Sequence, residues 1–451
     1  MQSKVAGDAK REDLTQGSIV KPLVLFALPL LGSSLIQQLY NTVDIIFVGQ
    51  LLGKEAAAAV GASSLLVACM VAFFTGTSIG SNVLAARFFG AKQVGELKAV
   101  VSMAFAISVA GGLVLTLVGY ALAPLFLRWL NVPDSIYGLS LEYLRIYIAS
   151  LTSIAGYNIG AGVLRGLGDS RSPMIYQLLG GMVNIAANAL FIGWFQWGVQ
   201  GSAWATLFSQ SLAAVLVFRR LALLDQAYCL RLQAIRLKLD TLRDIMLIGV
   251  PVGIQAMLVT LSNLIVQNHI NMLGIDSIAA FTAYFKVELF IYLPIVAIGQ
   301  ANITFASQNI GARRPDRAIR GTRASIVLGL GVAVVSSTIA LLFCEQAFRL
   351  FTRDASVIGI GTQIARGIFP WYFMYVFFEV LAAFIRGSGK NLEPTLIILV
   401  NMCLIRPLYV MMISRLAPEA VAIAWVYPIT WFTTSVCMGL YYLKLRKSML
   451  G

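Results

Sequence analysis

The sequence predicts an all-α membrane protein, with twelve transmembrane helices in two parallel-repeat six-helix lobes around a central cavity. Three observations carry this. The 451-residue chain is 59% hydrophobic and only 12% charged, with a mean hydropathy of +0.81. Soluble domains carry about 25% charged residues, so much of this surface is built to meet lipid. Its apolar stretches have helix length and lack the alternation of a barrel strand. Finally, a motif around Arg165 returns in the same order around Arg386.

Stretches long enough to cross a hydrocarbon layer of about 30 Å fall near 22–49, 56–86, 99–124, 142–163, 174–195, 201–218, 245–273, 278–308, 324–343, 356–384, 394–413 and 420–443. They divide the chain into a cytoplasmic N-terminal segment (1–21), an N-lobe (22–218), a charged linker (219–244), a C-lobe (245–443) and a cytoplasmic tail (444–451). The pattern around Leu230 to Leu242 predicts a short amphipathic surface helix in the linker. Met1 to Leu14 is polar and lacks the basic-then-apolar order of a cleaved signal, so the first span is expected to be retained.

The charges orient these spans. With the N-terminus inside, 25 of the 34 basic residues fall in cytoplasmic segments, among them Arg87, Lys92, Arg219, Arg220 and the run Arg313, Arg314, Arg317, Arg320, Arg323. The external connections hold five: Lys54, Arg128, Arg349, Arg353 and Arg415. That asymmetry predicts both termini in the cytoplasm. It also accounts for the net charge of +14 without a nucleic-acid partner. Trp129, Trp194 and Trp197 fall at outer span ends, where an interfacial aromatic belt belongs. The five cysteines form no CxxC pair and there is one histidine, His269, so neither a disulfide framework nor a metal centre is expected.

The repeat sets the plan. Arg165, Gly166, Gly168 and Pro173 recur as Arg386, Gly387, Gly389 and Pro394, each shifted by 221 positions. The same shift relates Gly90-Ala91-Lys92 to Gly311-Ala312-Arg313, Arg128 to Arg349 and Arg145 to Arg366, while Pro29 and Pro251 differ by 222. An even number of helices separates the copies, so both have the same orientation. This is the parallel-repeat plan of transporters, with the site between or within the lobes. The glycine motifs lack the preceding strand and following Lys-Ser/Thr of a phosphate-binding loop, which excludes nucleotide binding there.

Within the first span, Ser33, Gln37, Tyr40 and Asp44 recur at steps of four, three and four, stacking on one side of a helix. A carboxylate at a bilayer centre costs about 2.5–3.5 kcal/mol on the insertion scale. The stripe is therefore expected to face a protein interior or a watery cavity, with Asp44 as the working residue. Asn184 and Asn188, four apart on the fifth span, share one face, read either as cavity lining or as helix–helix glue.

Taken together, Pro29 with Tyr40-Asn41-Thr42-Val43-Asp44, the turn Ala85-Ala86-Arg87-Phe88-Phe89-Gly90-Ala91-Lys92, both Arg-Gly-x-Gly motifs, Asn184-Ile185-Ala186-Ala187-Asn188 and Ser307-Gln308-Asn309-Ile310-Gly311-Ala312 resemble the multidrug and toxic compound extrusion family. The resemblance spans essentially the whole chain. It implies a secondary antiporter of the bacterial plasma membrane, not an enzyme, that exports amphipathic, often cationic small molecules by alternating access. It further implies no cofactor, with protons as the favoured coupling ion and sodium as the alternative, and a monomer whose other partners are membrane lipids. Asp44 is then the ion-exchanging carboxyl. Gln37, Tyr40, Asn41, Asn184, Asn188 and Thr206 are its polar surroundings, and Pro29 is the point where the first helix bends. Two departures stand out. Asn188 occupies a position where part of the family has a second aspartate, and no acidic residue lies between Gly249 and Gly274.

The secondary candidates are in the C-lobe: Lys286, Glu288, Glu379 and His269. Glu379 is expected either to pair with Lys286 or to form its own ion site, Arg406 to bond carbonyls freed by Pro407, and His269 to be packed or hydrogen-bonded rather than a proton relay. The rival reading is a lipid-linked oligosaccharide or other lipid-precursor flippase. Such a protein grips pyrophosphate with several cations, whereas Lys286 and Arg406 are the basic residues expected inside the membrane. An integral membrane enzyme would need catalytic sets that a single histidine and unpaired carboxylates do not supply.

Overall fold

The computed structural model describes residues 13–224, 229–230 and 238–450. The amphipathic helix expected around Leu230 to Leu242 lies mostly outside them, as does most of the N-terminal segment. The described chain is helical almost throughout, with no strand among the described residues.

The first half runs as α1 (Val20–Phe47), α2 (Gly53–Gly90), α3 (Val94–Ala106), α4 (Gly112–Trp129), α5 (Asp134–Ala149), α6 (Leu151–Gly166), α7 (Arg171–Asn188) and α8 (Val199–Ala222). The second half runs as α9 (Leu239–Asn271), α10 (Ile275–Gly311), α11 (Pro315–Leu342), α12 (Cys344–Arg349), α13 (Ala355–Ile368), α14 (Tyr372–Gly387), α15 (Leu392–Ile398), α16 (Arg406–Leu416), α17 (Ala420–Ala424) and α18 (Val426–Leu450). Wide-turn π segments join α1 to α2, α3 to α4 and α15 to α16, so each of the last two pairs makes one crossing. The stretch Val20–Gly90 is 71 residues long, about 106 Å of helix, far more than one crossing. It turns at Gly53, whose φ of 83° needs glycine, and supplies two. With α5 and α6 as one bent span, the described residues provide the twelve crossings expected. Observed helices overrun the apolar stretches by a few residues at most ends, because their polar last turns leave the hydrocarbon but continue the backbone hydrogen bonds.

The chain divides into two compact units, and the divisions fall inside helices. Gly32–Met257 forms the body of one unit; Leu14–Leu31 and Leu258–Gly451 form the other. The sequence-based lobes assign 22–49 wholly to the first lobe and 245–273 wholly to the second. In the packing, the first part of α1 joins the second unit and the first part of α9 joins the first.

Physical causes for this exchange are visible inside each unit. In the second, Leu23, Phe26, Ala27 and Leu30 of α1 pack on Ala297, Ala301 and Phe305 of α10. Ahead of α1, Arg317 donates to the carbonyls of Gln16 (2.8 Å) and Gly17 (2.9 Å), and Arg314 to that of Thr15 (2.9 Å). In the first, Gly76 and Gly80 on α2 meet Gly249 and Gly253 on α9 with no room for a Cβ: one added to Gly76 would lie 2.5 Å from the Gly253 Cα. Paired small-xxx-small faces of this kind bring helix backbones into direct contact in membranes.

The repeat is equally visible in the backbone. Gly168 and Gly389 have φ of 85° and 87°, and Lys92 and Arg313 have φ of 55° and 58°. A Cβ on Gly166 would sit 2.7 Å from the Ala85 Cβ and the Asn82 carbonyl; on Gly387 it would sit 2.9 Å from the Ala306 Cβ and the Ile303 carbonyl. These contacts are related by the same 221-residue offset. The Arg-Gly-x-Gly motif is thus the place where α6 closes on α2 and α14 on α10. Gly166→Ala is therefore expected to destabilise the protein by about 1–3 kcal/mol through overpacking. Gly138→Ala on α5, where a Cβ meets nothing within 4 Å, should be neutral or stabilising. Thermal unfolding in detergent measures both.

Candidate functional site

The first unit concentrates polar side chains on the inward faces of four helices. On α1, Tyr40 precedes Asp44 by one turn. On α7, Gln177, Asn184 and Asn188 are spaced seven and four apart and share a face. On α8, Ser202, Thr206 and Gln210 recur every fourth residue, and on α5 Tyr143 and Tyr147 do the same. All except Asp44, which is half-buried, are buried.

Two connected groups result. Around Asp44, the Ser202 hydroxyl donates to Oδ1 at 2.9 Å, and Asn188 lies against the same carboxyl. Tyr143 contacts Ser202 and faces the carboxyl, with the Tyr147 ring 6.0 Å away. Asn188 Nδ2 also donates to the backbone oxygen (3.0 Å) and Oδ1 (3.2 Å) of Asn184, tying the two asparagines together. Around Tyr40, Gln177 Nε2 (3.1 Å) and Gln210 Nε2 (3.2 Å) both donate to its hydroxyl, and Gln37 adds a third contact. Four buried polar atoms in this region have no partner: Ser33 Oγ, Gln177 Oε1, Asn184 Nδ2 and Asn188 Oδ1. Burying such a group without a hydrogen bond costs about 1–3 kcal/mol.

The structure therefore brings Gln37, Tyr40, Asp44, Asn184 and Asn188 together, as the helix periodicity implied. Thr206 is buried one turn along α8, but the hydroxyl that reaches Asp44 is that of Ser202. Asn41 is exposed. Pro29 lies on α1 about 22 Å from Asp44 along the helix, in the other unit and two residues before its boundary. Ser202, Gln177, Gln210, Tyr143 and Tyr147 are the residues sequence reasoning missed.

The second unit holds its own polar cluster. Tyr284 donates to Glu288 Oε1 at 3.3 Å, and the Tyr372 hydroxyl donates to the same oxygen. Tyr292 and Tyr375, ring centroids 5.4 Å apart, lie within electrostatic range of both Glu288 and Glu379. Glu379 packs where Gly299 leaves space, since a Cβ there would meet its Oε1 at 2.8 Å. Its nearest compensating charge is Arg386. Lys286 is exposed, on a different side of α10, so the expected Lys286–Glu379 pair does not form. Arg406 is held by side chains rather than by freed carbonyls: Nη1 donates to Asn263 Oδ1 (2.6 Å), Nη2 to Thr430 Oγ1 (3.2 Å), and the guanidinium lies 4.9 Å from the Tyr427 ring centroid. His269 contacts the Ile265 carbonyl of its own helix through Nδ1 at 2.8 Å. Of the cysteines, Cys69, Cys229 and Cys344 are buried, Cys403 is half-buried and Cys437 is exposed. No metal-holding group of three or more His, Cys, Asp or Glu occurs among the described residues.

This architecture, with each unit built mostly from one copy of the repeat, matches a known family. The MatE family model matches residues 29–190 and again residues 251–409, one match for each copy. A relative from Bacillus subtilis (strain 168), the probable multidrug resistance protein YoeA, is 30% identical over 389 residues, covering 84% of each chain. A second from the same organism, the probable multidrug resistance protein YpnP, is 26% identical and covers 88% of this chain and 89% of its own. Among solved structures, an outward-facing multidrug resistance MATE family transporter of the MOP superfamily superposes with a TM-score of 0.91 at 21% identity, covering 98% of both chains. The chain belongs to the MatE family.

The contact geometry separates the two hydroxyls on α8. Ser202→Ala removes a hydrogen bond to a charged group and is expected to change transport or ligand affinity about ten-fold or more. Thr206→Val should change it less than three-fold. Parallel transport assays of the two variants check this.

Proposed function

We propose that this protein is a secondary antiporter of the bacterial plasma membrane, exporting amphipathic, mostly cationic small molecules in exchange for protons, with Asp44 as the exchanging carboxyl. One observation carries the proposal. Asp44 sits in a membrane-spanning helix, and the partners that hold its carboxyl, Ser202 and Asn188, are both neutral. An intramembrane carboxylate without a cationic partner is expensive. A mobile cation has to compensate it, and a proton and a cationic substrate are two such cations that exclude each other. The multidrug-resistance names of the relatives support the substrate class. The unpartnered atoms of Asn184 and Asn188 and the rings of Tyr143 and Tyr147 offer hydrogen bonds and cation-attracting faces to such a molecule. The favoured ion is the proton because one carboxyl held by one hydroxyl and one amide makes a sparse cage for sodium.

Alternating access would use the division of α1. Its first part packs in one unit and its Asp44-bearing part in the other, and Pro29, which removes one backbone hydrogen bond of the helix, lies just before the division. Both termini face the cytoplasm in this reading, and the transporter works as a monomer without a cofactor. A lipid-precursor flippase finds less support. Arg406 is committed to Asn263, Thr430 and Tyr427, and Lys286 is exposed.

The test is uptake of a fluorescent cationic dye by inverted vesicles under an imposed pH or sodium gradient. The pH gradient should drive uptake and the sodium gradient should not; a proton gradient equivalent to 100 mV supplies about 2.3 kcal/mol, or roughly a 50-fold accumulation. Asp44→Asn should lower the pH-driven rate at least about ten-fold. Wild-type rates from Asp44→Asn would overturn the assignment.

A further inference from the structure

The second unit carries a cavity of about 660 Å³ at the end of α11 away from the Arg313–Arg323 run, lined by Glu345, Arg349, Arg353, Thr362, Gln363 and Arg366 among others. It opens at the membrane face expected to be external, where the positive-inside rule leaves only five basic residues in the connections. Two of those five, Arg349 and Arg353, converge here. Arg366 joins them from α13, eleven residues past its start at Ala355, about 16 Å along the helix. Arg366 is exposed at that depth, within the span expected over 356–384, although Lys286 and Arg406 are the basic residues singled out inside the membrane from the sequence.

The repeat shows what is unusual about this cavity. A recess of about 340 Å³ in the first unit is lined by Tyr120, Glu142, Arg145 and Gln200 among others, and shares two of these positions, Glu142 and Arg145, at the 221-residue offset. There the arginine lies 4.8 Å from the Tyr120 ring centroid, and Glu142 accepts from Gln200 Nε2 at 3.0 Å. At the 221-residue offset Arg145 becomes Arg366, but Glu142 becomes Gln363 and the tyrosine is lost. Glu345 is taken up by Arg349 at 2.6 Å. Arg353 and Arg366 have no carboxylate within ion-pairing distance among the described residues. At the same offset the second copy has exchanged the acid for an amide, and Arg353 stands where the first copy has Val132.

We propose that this cavity binds a phosphate-bearing anion, whether the headgroup of an anionic phospholipid or a soluble phosphate ester. Guanidinium groups match phosphate oxygens two at a time, and the Gln363 amide and Thr362 hydroxyl add neutral donors. The lipid source fits the surroundings better. Leu350 and Phe351, between Arg349 and Arg353, are 84% and 52% exposed and sit where acyl chains would pass.

The purified full-length protein in neutral detergent would be titrated with phosphatidylglycerol, with phosphatidylcholine and with glycerol phosphate alone, and bound species counted by native mass spectrometry. The decisive variant is Gln363→Glu, which restores the acid of the other copy at an exposed helix position and leaves the fold intact. Phosphatidylglycerol should bind at least about ten-fold tighter than phosphatidylcholine. Gln363→Glu, and separately Arg353→Gln, should each weaken it about five-fold, the effect of one charge near a membrane surface, with phosphatidylcholine unchanged. Binding of glycerol phosphate with the same loss in Gln363→Glu would support the site and identify a soluble source. Equal binding of both lipids without glycerol phosphate binding, or an affinity untouched by Gln363→Glu, would overturn it.

Discussion

A carboxyl group inside a membrane-spanning helix has to find its compensation within the protein or from a passing cation. Asp44 finds a hydroxyl and an amide, and nothing charged among the described residues. The rest of the first unit is arranged around that shortfall. Gln177, Gln210 and Gln37 keep the Tyr40 hydroxyl satisfied one turn below. Asn184 and Asn188 brace each other while keeping one atom apiece unpartnered, and Tyr143 and Tyr147 line the remaining side. The second unit handles comparable groups differently. Glu288 receives two tyrosine hydroxyls, Glu379 faces Arg386, and Arg406 is enclosed by Asn263, Thr430 and Tyr427. These three have partners within the unit, which is what a structural core requires. The two copies of the repeat have kept one backbone and diverged in chemistry.

That shared backbone rests on close helix approaches that only small residues allow. Gly166 against α2 and Gly387 against α10 are the same contact made twice, and the glycines that follow them turn the chain identically. Gly76, Gly80, Gly249 and Gly253 hold the first part of α9 in the first unit as tightly as Phe26 and its neighbours hold the first part of α1 in the second. Two helices are consequently divided between units, and the one that carries Asp44 is among them. A change of charge at Asp44 acts on a helix whose two parts answer to different bodies.

Much of this was legible in the sequence. The twelve spans follow from apolar length, the repeat from a shared offset, and the stripe from Ser33 to Asp44 from helix periodicity. Gln177 and the set Ser202, Thr206, Gln210 also carried a signal, being polar residues at helical spacing in otherwise apolar spans. Which of Ser202 and Thr206 reaches Asp44 depends on the rotation of α8 about its axis, set by tertiary packing that spacing does not encode. The Lys286–Glu379 pairing failed for the same reason: residues on separate helices meet only if their faces do. The division of α1 and α9 was hidden because apolar periodicity runs unbroken through both. Arg366 was overlooked because it sits inside an apolar stretch, where a span is read by its average and a single charge is easily absorbed.

The central claim is that a proton and a cationic substrate compete for Asp44. Proton release on substrate binding tests this without any membrane gradient. Purified protein in weakly buffered detergent, held at a pH where the dye binds, would receive a cationic dye while the solution pH is followed. The account predicts release of up to about one proton per dye bound by the wild-type protein, falling as the starting pH rises because the carboxyl is then already deprotonated, and none from Asp44→Asn. Equal release from the two proteins, or dye binding by the wild type with no release at any pH, would contradict it.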